Sequence, residues 1–139
     1  MKDSSRSMAA ALAAGLVVLA GFPARAVTPS EQLSRYAAEA GRAPEAVRGR
    51  QFFTTVHGRE WSCATCHGAA PVVAGQHAST GKAIGALAPA ANGDRFTDAA
   101  KTKKWFRRNC NDVVGRECTA AEKADTLAWL LSLTRGVPR

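Results

Sequence analysis

Cys63, Cys66 and His67 stand in the order C-x-x-C-H, with Ala64 and Thr65 between the cysteines and Gly68 after the histidine. That order is the attachment pattern of a c-type haem. Each thiol S–H adds across one vinyl group of the porphyrin, and the adjacent imidazole becomes an axial ligand of the iron. Two intervening residues match the spacing of the vinyls on one porphyrin edge. The histidine follows at once, so that its ring nitrogen reaches the metal. One covalent haem c is therefore expected, on Cys63 and Cys66, with His67 as the proximal iron ligand. The two methionines are Met1 and Met8, both inside a segment read below as removable. A product without methionine cannot use the His/Met pair of electron-transfer cytochromes. Another side chain fills the sixth position, or the position is open.

The chain offers few substitutes. His57 lies in a Gly-bounded loop before the motif, and His77 lies ten residues after His67. Either could be a ligand or a plain solvated loop histidine. A lysine would first have to lose a proton, against a solution pKa near 10.4. Cys110 and Cys118 remain once the haem has taken its pair, and an even remainder in an exported protein points to a disulfide. Closing residues 110–118 would add roughly 2–3 kcal/mol by chain entropy. The bridge is either a staple or a device that fixes the residue before it near the iron.

Export is itself an expectation from the N-terminus. Lys2 and Arg6 precede an apolar, small-residue run from Met8 to Phe22, and Ala24-Arg25-Ala26 fits the A-x-A cleavage rule. Cleavage after residue 26 would leave residues 27–139 as one monohaem domain beginning at Val27. The alternative, an uncleaved anchor, is disfavoured because the run is shorter than the ~20 residues of a bilayer span and Pro23 ends it. No Arg-Arg pair precedes the run, so the general route is expected rather than the twin-arginine one. A soluble periplasmic product follows, since no second apolar span is present. The whole chain has 19 Lys and Arg against 11 Asp and Glu, net +8. Loss of Lys2, Asp3, Arg6 and Arg25 keeps the balance basic. Such a surface favours an acidic partner protein. It does not read as a nucleic-acid surface, because the few aromatics are not interleaved with the bases.

Four main helices are expected to position the motif. The first covers residues 30–40, capped by Ser30 and stopped by Gly41, with Leu33, Tyr36, Ala37 and Ala40 on one face. The second starts with Pro44 at its first position and runs towards Thr54. Val47, Phe52 and Phe53 form its apolar side, and Gly49 leaves room for another backbone. A loop then leads through Trp61 to the motif. Residues 69–92, rich in Gly, Ala and Pro, read as a loop with room for one short helix, wrapping the haem edge; a linker between two domains is the alternative. Asp98 caps a third helix to about Arg108, with Ala99, Trp105 and Phe106 apolar and Lys101, Lys103, Lys104, Arg107 and Arg108 charged. A capping box, Thr119 to Glu122, starts a fourth helix bearing Leu127, Trp129, Leu130 and Leu131 and ending near Leu133, with Gly136 and Pro138 as breakers. This is an all-α design. A helix with Gly49 and Phe53 crossing a C-terminal helix with Trp129 resembles the class I cytochrome c fold.

The run from Lys104 to Thr119, with Glu122-Lys123-Ala124-Asp125 and Leu127-Ala128-Trp129-Leu130, resembles the sphaeroides haem protein (SHP) family, oxygen-binding monohaem cytochromes. So do Gly75-Gln76, Thr80-Gly81-Lys82, Leu87-Ala88-Pro89 and Asp94-Arg95-Phe96-Thr97-Asp98. The resemblance implies that Asn109, just before Cys110, is a distal iron ligand that swings away on reduction. It implies a Cys110–Cys118 bridge, ferrous binding of O2, NO and similar small ligands, and a dihaem cytochrome c as electron donor. An asparagine here also has a plain role as a helix terminator. The loop from Val56 to Trp61 matches no part of the family pattern, which leaves the roles of His57 and Trp61 open.

Three functions compete. The first is a ligand-binding haem protein whose bound oxygen is reduced or reacts with nitric oxide. The second is an electron-transfer cytochrome that stays six-coordinate in both redox states. The third is a peroxidase-like enzyme, for which the chain offers no evident distal acid–base pair.

Overall fold

The computed structural model describes residues 26–134. The expected signal segment, except residue 26, and the expected breakers Gly136 and Pro138 lie outside the described residues. Among the described residues there are five helices: α1 (Pro29–Ala40), α2 (Ala46–Thr54), α3 (Cys63–His67), α4 (Ala99–Val113) and α5 (Ala120–Ser132). Two short strands, β1 (Gly75–Gln76) and β2 (Ala83–Ile84), pair antiparallel between α3 and α4, with Gly75 opposite Ile84.

Helix α1 begins one step earlier than expected. Its cap is Thr28, not Ser30: the Thr28 hydroxyl accepts from the Glu31 N–H while Glu31 accepts from the Thr28 N–H. Pro29 fills the first helical position, where its missing N–H costs nothing. Tyr36 is buried as expected, with Leu33 and Ala37 packed beside it. Gln32 is buried too, and its amide donates to Thr102 Oγ1 of α4 at 3.2 Å.

Helix α2 starts later than expected, at Ala46 rather than Pro44. Glu45 stays extended because its backbone N–H donates to the Asp125 carboxylate at 2.7 Å. Asp125 sits on α5 with a side chain only 5% exposed, and it also accepts from Arg42 and Arg48. One buried carboxylate thus ties the α1–α2 connection to α5. Val47, expected on the apolar side of α2, is 70% exposed. The buried face is the pair Gly49 and Phe53, one turn apart. A Cβ at position 49 would lie inside the carbonyl of Asp125, so α2 and α5 touch main chain to main chain.

The core has two parts, both resting on α5. Tyr36, Ala124 and Leu127 form one, joined by Phe96 and Phe106. Phe53, Trp129 and Leu130 form the other, and Cys63, Ala64 and Leu87 pack against it. The Phe53 and Trp129 rings are 4.8 Å apart. Helix α5 starts with the expected Thr119–Glu122 box, and Arg116 grips the Glu122 carboxylate with both terminal nitrogens.

Helix α4 has the expected Asp98 cap but does not stop at Arg108. It continues through Asn109 to Val113, because no breaker occurs before Gly115, which has φ +81°. Asn109 is therefore inside the helix and does not terminate it. Trp105, expected among the apolar positions of this helix, is 42% exposed, with the Arg108 guanidinium over its ring. Residues 69–92 hold the two-stranded ladder and turns, with no helix.

Burial alone would raise the Asp125 pKa, but the bonds from Arg42, Arg48 and the Glu45 N–H win and lower it from 3.8 to about 2. A lowered acid pKa stabilises the fold above the unfolded value, and that stabilisation disappears as pH falls from about 4 to about 2. Asp125→Asn should cost roughly 2 kcal/mol at neutral pH. Thermal melts of the holoprotein should show a lower Tm at pH 7 and a shallower acid loss between pH 4 and 2 than wild type. Parallel curves would exclude Asp125 as the source.

Candidate functional site

Cys63, Cys66 and His67 share the single turn of α3, where the sequence had suggested only a loop leading in. Ser62 starts that turn: its hydroxyl accepts from the Thr65 N–H, and the Thr65 hydroxyl accepts from the Ser62 N–H. A helical turn sets the cysteines three residues apart on one side, with the imidazole next to the second. Both thiols are free and half-buried.

Their surroundings differ. Cys63 leans on the Phe53, Trp129 and Leu130 cluster, and desolvation pushes its thiol up to about 11, with nearby Cys66 adding to the rise. The His67 ring lies 6.1 Å from that of Phe53. Burial, assisted by the positive charge of Arg95, lowers its pKa to about 4. The imidazole is therefore neutral at pH 7, the form that offers a lone pair to a metal.

The far side of α3 is fixed by the ladder. A Cβ on Gly75 would collide with the Cys66 carbonyl and lie 3.0 Å from His67 Cα, so β1 runs directly against the motif. The Ala78 N–H points at Cys66 Sγ at 3.4 Å. Gln76 donates to the Gly81 carbonyl at 2.9 Å and closes the turn between the strands. Arg95 donates to the carbonyls of Ala86 and Gly85, and the N–H groups of Leu87 and Ala88 both reach Pro71 O. The residues quoted above for the family resemblance thus brace the haem motif. An open cleft of about 590 Å³ runs between α3 and the ladder, lined by residues 64–68, 73–78 and Gly81.

His77 lines this cleft with Cys66 and His67, its ring edge-on to Trp61 at 6.5 Å and its Nδ1 3.2 Å from Ser79 Oγ. His57 is elsewhere. Its Nε2 sits 2.6 Å from the Phe52 carbonyl and its ring packs on Phe52, which satisfies an end carbonyl of α2. Asn109 does not line the cleft. It is exposed on α4, and its side chain makes no hydrogen bond among the described residues. The next residue, Cys110, is buried and bridged to Cys118.

The residues fit a covalent haem. Two unpaired thiols and a neutral imidazole share one turn against an apolar, aromatic wall. The thiol pair and the imidazole are the donors a porphyrin that carries its own iron would need; among the described residues no three His, Cys, Asp or Glu side chains converge as a metal cage. Sequence reasoning missed Arg95 and Asp125 as organisers. In the sequence Asp94-Arg95 stands out only as part of the family pattern, and an acid between Ala124 and Thr126 gives no sign of burial.

Residues 39–130 match a family described as a domain of unknown function (DUF1924). The chain is 52% identical over 119 residues to the cytochrome c-type protein SHP of Cereibacter sphaeroides, covering 81% of this chain and 91% of that one. Cytochrome c'' of Methylophilus methylotrophus is 41% identical over 97 residues, 67% of each chain. The structure of oxidised SHP, described as an oxygen-binding cytochrome c, superposes with TM-score 0.73 at 48% identity, covering 78% of this chain and 99% of that one. The solution structure of cytochrome c'', described as insight into haem-ligand detachment, gives TM-score 0.66 at 36% identity, covering 77% and 94%.

Gly75→Val should separate β1 from α3. Overpacking against main chain costs about 1–3 kcal/mol or more. The expected result is a several-fold lower haem-to-protein ratio by pyridine haemochrome absorbance. A normal ratio and an unchanged Tm would show that the contact is dispensable.

Proposed function

The chain belongs to the family of monohaem c-type cytochromes that includes SHP, and from that premise we propose that it binds small diatomic ligands at a haem whose distal protein ligand is labile. His67 is the proximal ligand, Cys63 and Cys66 carry the thioethers, and Asn109 is the distal ligand of the oxidised form. When bound, the haem supplies a redox-active iron able to take O2, NO or a similar molecule at its sixth position.

The observation that carries this reading is the place of Asn109 on α4. Thr102, Phe106, Asn109, Cys110 and Val113 follow i, i+4, i+7, i+8 and i+11, one stripe of the helix. The other four are buried or half-buried; Asn109 is the exposed member. Asn109 stands at the exposed edge of that inward stripe, and its amide, with no hydrogen-bond partner among the described residues, is free to meet something other than its own chain. Residues 26–139 contain no methionine, and His57 is already engaged with Phe52. The relatives point the same way: SHP is described as oxygen binding and cytochrome c'' through haem-ligand detachment.

Chemistry supports lability. An amide oxygen is a hard, neutral donor, suited to ferric rather than softer ferrous iron. His67 is held between β1 at Gly75 and the Phe53 ring and stays; Asn109 needs only a side-chain rotation or a small helix shift to leave. The bridge to Cys118 keeps the backbone at position 110 fixed, so that the amide returns to one place. Export through the N-terminal segment to the periplasm completes the reading, since haem attachment and a disulfide both suit an oxidising compartment. Among the described residues no helix is long and apolar enough to cross a membrane. Electrons come from a partner cytochrome, a dihaem cytochrome c on the family pattern or another acidic redox protein.

Asn109→Ala should alter the ferric visible and resonance Raman spectra, moving iron from low-spin six-coordinate towards high-spin, while ferrous carbon monoxide binding stays as fast as in wild type. An unchanged ferric spectrum removes Asn109 from the ligand set. In Cys110→Ser with Cys118→Ser, stability should fall by roughly 2–3 kcal/mol, seen as a lower Tm, and the ferric low-spin fraction should also fall. Lower Tm with unaltered spectra would leave the bridge a staple.

A further inference from the structure

The corner between the ladder and α4 is built on a backbone that its residues do not favour. Among the described residues, Phe96 alone of the non-glycine residues has positive φ, at 62°. That region crowds Cβ, and a bulky side chain there is strained. Hydrogen bonds close the corner on both sides of Phe96. The Arg95 N–H donates to the Asn92 carbonyl at 3.1 Å, the Thr97 hydroxyl donates to the Asp94 carbonyl at 2.9 Å, and Asp98 then caps α4. A corner of this kind suits glycine or asparagine. What phenylalanine adds is its ring, which packs against both parts of the core. The ring also stands 6.3 Å from that of Phe106, which meets Tyr36 edge-on at 5.6 Å. Phe106 of α4 thus sits between a ring of α1 and the ring of the corner. It lies one turn before Asn109 on the same side of the helix.

We infer that Phe96 is a positioning residue for the distal ligand: its ring, turned inward by a left-handed backbone, sets where Phe106 and hence Asn109 stand. This role rests on the one proposed for Asn109 and names the contact that aims it. Gln32 ties the start of α4 through Thr102, and the Cys110–Cys118 bridge ties its end. The rings on Phe106 tie the turn between. A ligand held by one weak bond depends on placement to within about 0.5 Å, so the tie nearest to it matters most. Filling the core does not by itself account for Phe96, because an apolar ring reaches a core from unstrained backbone elsewhere in this chain, as Phe53 and Leu127 do. A strained residue persists where its surroundings over-determine it, and such positions cluster at functional sites.

The test uses ferric holoprotein and cyanide, which must take the place of the distal ligand on iron. Its binding rate is read by stopped-flow absorbance, beside the ferric low-spin fraction and Tm. Phe96→Ala should speed cyanide binding about tenfold and lower the low-spin fraction. Phe96→Gly removes the ring and also frees the backbone. It should bind cyanide as fast as Phe96→Ala while melting higher, which assigns the effect to the ring and not to the strain. Phe96→Tyr keeps a ring and should stay within about twofold of wild type. Leu131→Ala thins the same core from α5; it should lower Tm and leave the cyanide rate within about twofold. Where Phe96→Ala takes up little haem, Phe96→Leu is read in its place, with the rate raised about threefold. In Asn109→Ala cyanide binding should already be fast, and adding Phe96→Ala should change it less than about twofold. A wild-type rate in Phe96→Ala or Phe96→Gly beside a fast Asn109→Ala overturns the role of Phe96 alone, as does an equal rise in Leu131→Ala. A wild-type rate in Asn109→Ala overturns the ligand reading itself, and Phe96 then has no distal ligand to position.

Discussion

The main-chain contact between α2 and α5 at Gly49 and Asp125 governs the architecture. It seats Phe53 against Trp129 and turns both rings into one wall, and the Cys63 side of α3 leans on that wall. Asp125 then works twice. Its carbonyl is what Gly49 must clear, and its carboxylate holds Arg42, Arg48 and the start of α2 in register. Any larger residue at 49 would lift α2 and move the aromatic wall away from His67.

The turn that carries the haem motif and the helix that carries Asn109 are packed differently. On the His67 side, main chain meets main chain at Gly75, carbonyls of Gly85 and Ala86 are pinned by Arg95, and a hydrogen bond reaches Cys66 Sγ. On the α4 side, contacts run through Gln32 to Thr102, Tyr36 and Phe96 to Phe106, and a disulfide. A ligand on a rigid turn stays through a redox cycle; a weak amide donor on a lightly packed helix is free to leave. That contrast in packing supports the proposed division between a permanent and a labile ligand.

Much of this was legible in the residues. C-x-x-C-H, Gly49, Phe53 and Trp129, the Asp98 cap and the Thr119 box carry strong local signals, because spacing and side-chain chemistry alone define them. Errors arose where a long-range partner decided the outcome. Thr28 displaced Ser30 because the reciprocal bond with Glu31 requires three-residue spacing. Pro44 lost the start of α2 to a carboxylate on α5. Val47 and Trp105 look like core by hydropathy, yet Gly49 turns α2 away from Val47, and α4 carries Trp105 on its outer edge. Asn109 looked like a terminator, but with no glycine before Gly115 and with Cys110 anchored, α4 runs on past it. The ladder of β1 and β2 is too short for any periodicity to announce.

The central claim is that reduction empties the distal position. The direct measurement is resonance Raman spectroscopy of the ferrous holoprotein without added ligand, using the core-size marker bands. A five-coordinate, high-spin ferrous haem, converted within the mixing time by carbon monoxide, is the predicted result. A six-coordinate, low-spin ferrous spectrum indifferent to carbon monoxide would contradict the account and leave an electron carrier with two permanent ligands.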